Sequence, residues 1–187
     1  TPLVSTSLAI AERTGARGQD ALAAIVLGYE TSGRIREAIT PTFQTRGFHG
    51  CLVAIFGATV AATRLLKLDE AQMAQAIALS ATSIGGLRAA ADTSESREYH
   101  AGLATMLGIQ SALAAGRGYI AEESIFETKG GFFATYGDTD GVTVTRGLGD
   151  AWDIITDMAV KLVPGGHPPH SLAEAAANAA REGQVSH

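Results

Sequence analysis

Residues 20–30 read Asp20-Ala21-Leu22-Ala23-Ala24-Ile25-Val26-Leu27-Gly28-Tyr29-Glu30, and this run decides the fold class. Leu22, Ile25, Val26 and Tyr29 recur at i, i+3, i+4 and i+7, the period of one face of an α-helix, with Asp20 ahead of them. The spacing predicts a helix that continues, with a break at Ser32-Gly33, to Ile39. Thr40-Pro41 ends it, because the residue before a proline avoids the α region. Upstream, Leu3, Leu8, Ile10 and Ala11 read as the tail of a helix closing near Gly15. Downstream, residues 41–48 read as a loop, and residues 49–66 as a helix. Asp69 with Gln72 three residues on is a capping-box signature for the next helix, which carries Met73, Ala76, Ile77 and Ser80 on one face. Gly85-Gly86 breaks it. Residues 91–96 read as a polar loop, with Ser94 or Ser96 as N-cap. The helix from Arg97 carries Tyr99, Leu103, Met106, Leu107 and Leu113 and ends at Gly116 or Gly118.

Small residues crowd these helices. Phe56-Gly57-Ala58 and Ala61-Ala62 are expected to face neighbouring helices, since Ala favours helix and small side chains permit close approach. Beyond Gly118 the pattern loosens. Residues 121–126 read as a short helix, and Gly130-Gly131 and Asp138-Thr139-Asp140-Gly141 as turns. Val142 to Thr145 and residues 158–163 carry β-favouring side chains, and a strand is expected over 158–163 with a helix from Ser171. The resulting division is a mainly α, all-helical domain over 1–155, then the start of a second, α+β domain over 156–187.

Composition narrows the function classes. A chain of 187 residues, 46% hydrophobic and 18% charged, is of globular type. A net charge of −5 provides no basic footprint for nucleic acid. The apolar stretch 51–62 is shorter than the ~20 residues that span a bilayer, so no membrane partner is expected. The N-terminal residues lack the order of a secretory signal, and Cys51 is the only cysteine. A cytoplasmic, reducing location is therefore expected. The chain opens at Thr1 with no Met, as a piece of a longer protein would. Asp138-x-Asp140-Gly141 lacks the remaining ligands of a calcium loop, His167-x-x-His170 has no third zinc ligand nearby, and Lys129-Gly130-Gly131 lacks the frame of a phosphate loop. No metal or other cofactor is expected.

The segment Lys161-Leu162-Val163-Pro164-Gly165-Gly166-His167-Pro168-Pro169-His170 sets a cation and two imidazoles on one proline-stiffened turn. Such groups suit an anionic substrate that gains or loses a proton. A proline-rich surface connection with incidental histidines is the plainer reading of this segment alone. Five further motifs precede it: Gly28-Tyr29-Glu30, Arg46-Gly47-Phe48-His49, Leu66-Lys67-Leu68-Asp69, Arg97-Glu98-Tyr99-His100-Ala101-Gly102-Leu103-Ala104 and Gly130-Gly131-Phe132. In this order, and over nearly the whole chain, they resemble the MmgE/PrpD family. That family includes 2-methylcitrate dehydratase, cis-aconitate decarboxylase and iminodisuccinate epimerase.

The resemblance implies a cofactor-independent lyase or isomerase acting next to a carboxylate of a small di- or tricarboxylate. It implies catalytic roles for His49, Lys161 and His170, and substrate contacts from Arg46, Arg97, His100 and His167. Arg97 stands where the family usually has lysine, so the charge is kept but a planar fork replaces a point charge. For Arg46 a loop anchor is an equal alternative; for Arg97, a helix-start salt bridge; for His100, a core hydrogen bond. The resemblance also implies a homodimer. A second reading keeps the fold without the activity, as a helical dimerisation or scaffold fragment.

Overall fold

The computed structural model describes residues 2–161 and 168–183. They divide into two units, Thr1–Ile154 and Ile155–His187. The first unit is helical throughout. α1 (Pro2–Thr14), α2 (Gly18–Ile39), the single turn α3 (Thr42–Thr45), α4 (Ala54–Leu65), α5 (Glu70–Ala81), the short α6 (Arg88–Thr93) and α7 (Ser96–Ala115) follow in order.

α4 is the centre, and its sequence says why. AIFGATVAATRL is apolar or small on every side, and such a helix must be surrounded. Every residue from Ile55 to Thr63 is buried, and α1, α2, α5 and α7 all pack on it. The α2–α4 crossing is set by Gly28 and Gly57. A Cβ on Gly28 would lie 2.9 Å from the Gly57 carbonyl oxygen, and one on Gly57 would collide with the Gly28 carbonyl. Ser32 then donates to the Val53 carbonyl at 3.1 Å, stitching the two helices beside that contact. Beside Gly57, Phe56 meets Phe126 and Phe132, ring centroids 5.6 and 5.0 Å away, an aromatic cluster that closes the core under the 125–137 segment.

Capping reads as the sequence does. Asp69 accepts from the Gln72 amide at 2.8 Å while the Gln72 side chain accepts from the Asp69 amide at 3.1 Å. α7 ends at Ala115, with Gly116 as its C-cap. Several expectations are corrected. α2 runs unbroken through Ser32-Gly33. In its first half the buried residues are Ala21, Ala24 and Gly28, while Leu22 is 64% exposed, because the closest helix approach is made by the smallest side chains. α7 behaves alike: Ala104, Gly108 and Ala112 are buried and Tyr99 is 69% exposed. The stretch expected as a loop at 91–96 is mostly helix, since α6 extends to Thr93. The turn after His49 is a 3₁₀ turn, Gly50–Val53, before α4 begins.

Val142–Thr145 is a 3₁₀ turn, although its residues favour strands. The reason is Arg34. Its guanidinium donates to the carbonyls of Val144 at 3.1 Å, Arg146 at 2.8 Å and Ala151 at 2.6 Å, curling the segment around one side chain. Arg34 is itself held by Glu30, Nε to Oε1 2.6 Å, with both side chains 6% exposed. Gly28-Tyr29-Glu30 is thus a packing and anchoring motif: the glycine for the crossing, the glutamate for the buried pair.

In the second unit, α9 covers Pro168–Glu182, and the one-turn helix α8 (Asp153–Thr156) lies at the boundary between units. Residues 158–161 are not a strand, and the rest of the expected strand, 162–163, lies outside the described residues.

Candidate functional site

The Arg46-Gly47-Phe48-His49 segment is held from two sides. Arg46 Nη1 donates to the carbonyls of Ala134, at 3.3 Å, and Thr135. The Phe48 ring packs on Tyr136, centroids 4.9 Å apart. Opposite, the His49 amide donates to the Gly86 carbonyl at 3.0 Å and the Arg88 amide to the Gly47 carbonyl at 2.8 Å. These two bonds form an antiparallel bridge at Phe48 and Leu87. Gly86 has φ of 122°, and a Cβ there would stand 3.3 Å from the His100 ring. The chain therefore crosses directly over His100, and the bridge carries His49 to it. The two imidazole centroids are 6.2 Å apart.

Around His49 lies a cleft of about 350 Å³, lined among others by Arg36, Gln44, Cys51, Arg88 and Asp92. Arg36 reaches it from α2, its guanidinium carbon 3.6 Å from where a Cβ on Gly50 would be. Arg88 and Asp92 come from α6. Asp92 pairs with Arg88 at 3.2 Å and with Arg97, from α7, at 3.6 Å. The cleft is cationic, and His49 registers it. Burial lowers its pKa from 6.5, and Arg97, His100 and Arg36 lower it further, against an upward pull from Asp92. His49 is thereby a neutral imidazole at neutral pH. Its Nδ1 accepts the Cys51 amide at 3.4 Å, which leaves the ring proton on Nε2. Burial pushes the Cys51 thiol up, outweighing Arg97 and Arg36, so it is no thiolate nucleophile at neutral pH.

His100 is half-buried, with Nδ1 shielded and without a hydrogen-bond partner among the described residues. It also lines a second, apolar pocket of about 170 Å³ with Leu52, Ile55, Leu103 and Leu107. Of the expected site residues, then, His49, His100 and Arg97 stand together, while Arg46 is exposed and ties a loop. Lys161 and His170 belong to the second unit, Lys161 exposed and His170 half-buried in the first turn of α9. His167 lies outside the described residues. Arg36 and Arg88 were not legible as site residues. The one available signal was the Arg88, Asp92, Arg97 charge spacing, whose first step is an i, i+4 pair. Among the described residues no group of three His, Cys, Asp or Glu could hold a metal ion, and no helix is long and apolar enough to cross a membrane.

Comparison with known proteins agrees with the motifs. Residues 1–145 match the family model of the MmgE/PrpD N-terminal domain. A cis-aconitate decarboxylase-like protein of Aspergillus oryzae is 31% identical over 155 residues, 78% of this chain and 32% of that protein. Human cis-aconitate decarboxylase is 27% identical over 164 residues, 86% of this chain and 34% of that protein. The chain spans about a third of the length of these relatives. On this match, the chain belongs to the MmgE/PrpD family, with that family's N-terminal domain at residues 1–145.

Proposed function

We propose that this chain supplies the helical half of the active site of a cofactor-independent lyase or isomerase that acts on small di- or tricarboxylates. The observation that carries the reading is the cleft itself: Arg36 and Arg88 line it with a neutral His49, Arg97 is paired to its Asp92, and His100 stands beside His49. Dehydration, decarboxylation and epimerisation next to a carboxylate share one obstacle. Electron density must rest on a carbon beside an already anionic group. Fixed cations offset that charge, and a group that titrates near working pH moves the proton. Guanidinium groups clamp carboxylates bidentately. The family relatives support cis-aconitate-like substrates in particular, since both carry decarboxylase names. On the family resemblance alone, catalytic roles are proposed also for Lys161 and His170 and a substrate contact for His167. We propose in addition, on the family resemblance alone, that the whole protein is a homodimer.

The test is kinetic, in the whole protein, with citrate, methylcitrate, cis-aconitate and aminated succinates as substrates. His49→Ala is expected to lower kcat by roughly 100- to 10,000-fold, the range for general acid–base groups, with a smaller change in KM. Arg97→Ala is expected to raise KM most, and chelators to change nothing. Unchanged turnover in His49→Ala removes that residue from the mechanism. A protein that binds none of these acids returns the helical scaffold reading to first place.

A further inference from the structure

Among the described residues lining the cleft, Asp92 is the one carboxylate, and it is set against arginines from two helices. Its Oδ2 accepts from Nε of Arg88, one turn earlier on α6, at 3.2 Å. Its Oδ1 faces Nη2 of Arg97 on α7 at 3.6 Å. We infer that Asp92 is a resident stand-in for a ligand carboxylate, and that a polycarboxylate enters this cleft by exchange, displacing Asp92 from Arg88 and Arg97. This rests on the carboxylate reading above and adds how the site selects within that class.

The pairs are made for exchange. The Arg88, Arg97 and Asp92 side chains are 56%, 52% and 49% exposed, so water screens both contacts and each is weakly held. A guanidinium has five N–H donors, and an Asp92 contact to one of them leaves others for a second acceptor. With no ligand, Asp92 offsets the repulsion between the two cations and holds both beside the cleft. The exchange also discriminates. A monocarboxylate that displaces Asp92 replaces one carboxylate by another and gains little. A di- or tricarboxylate makes the same replacement and still has a carboxylate for Arg36 and for the Nε2–H of His49.

Calorimetric titration of the chain with citrate and with propionate tests this. Asp92→Asn is expected to tighten citrate up to about 5-fold, the ceiling for an exposed pair, and to tighten propionate by a similar factor, since both make the same replacement. Glu12→Gln, an equal change of net charge on the exposed face of α1, is expected to do neither. Arg88→Ala is expected to weaken citrate more in the Asp92→Asn background than in the wild type. The Nε–H signals of Arg88 and Arg97 are expected to shift as citrate is added to the wild type. If citrate binds and Asp92→Asn leaves it unchanged or weaker, or Glu12→Gln matches it, or the double-mutant cycle is additive, or the Nε–H signals stay fixed at saturation, exchange is overturned and the carboxylate site stands. If citrate binds neither wild type nor Asp92→Asn, the carboxylate reading falls as well.

Discussion

Arg34→Ala removes one side chain and should detach a whole segment. Arg34 uses four of its five N–H donors: one to Glu30, and three to the carbonyls of Val144, Arg146 and Ala151. The Glu30–Arg34 pair is almost fully buried, with 6% exposure on each side. Breaking a buried pair from one side costs about 3–5 kcal/mol, because the remaining charge stays desolvated without its partner. Against a total stability of about 5–15 kcal/mol for a native domain, that is roughly a fifth of the margin or more. Burial alone would raise the Glu30 pKa, but Arg34 and the amides of Ile154 and Asp153 outweigh it and the net direction is down. A lowered carboxylate contributes stability that is fully present above its unfolded value, about 4.3, and is lost as pH falls through the folded value. Without Arg34, burial dominates, Glu30 takes up its proton at higher pH, and the acid unfolding limb should move upward. Urea unfolding followed by circular dichroism at pH 7 and across the acid range measures both effects. Hydrogen exchange should show amides around 142–151 losing protection first. Arg34→Lys should rescue little, since a point charge cannot serve a carboxylate and three carbonyls together. A loss under about 1 kcal/mol in Arg34→Ala, with unchanged exchange near Val144, would refute the anchoring role.

Two further outcomes follow from the geometry. Gly57→Ala drives a Cβ into the Gly28 carbonyl and the Ser32 hydroxyl, and overpacking of this kind costs about 1–3 kcal/mol, or roughly 2–12 °C in Tm for a chain of this size. Gly102→Ala on α7 meets open space and should instead stabilise, by up to ~1 kcal/mol from helix propensity; equal melting shifts in the two variants would count against the close crossing. In an NMR titration His49 should lose its proton with a midpoint below 6.5, lowered by burial and by its cationic neighbours. Because the unfolded state holds that proton to higher pH, the stability contribution of His49 is present above the unfolded value and lost as pH falls through the folded one. Arg97→Gln should raise the midpoint and Asp92→Asn lower it, and a wild-type midpoint at or above 6.5 contradicts the cationic cleft.

Local chemistry made the helices legible. The Asp69–Gln72 capping box, the stop at Gly116 and the apolar period of residues 22–29 act within a few residues, so sequence alone marks the start of α5, the end of α7 and the presence of α2. The motif order identified the family for the same reason, as a pattern carried by residue types and spacing. Which face turns inward is a different matter. The apolar period in α2 marks Leu22 and Ile25, yet the helix buries Ala24 and Gly28, because the free energy of close helix packing depends on what the opposing helix presents. Val142–Thr145 has strand-like residues but no strand to pair with, and the buried Arg34, more than a hundred residues earlier, takes its carbonyls instead. The cleft is decided at the same level. His49 and His100 were readable from their motifs, but Arg36 and Arg88 join them only because a two-bond bridge lays residues 47–49 against 86–88 and α2 passes beneath Gly50. Charge convergence depends on distances between elements far apart in the chain, and only the tertiary structure sets those distances.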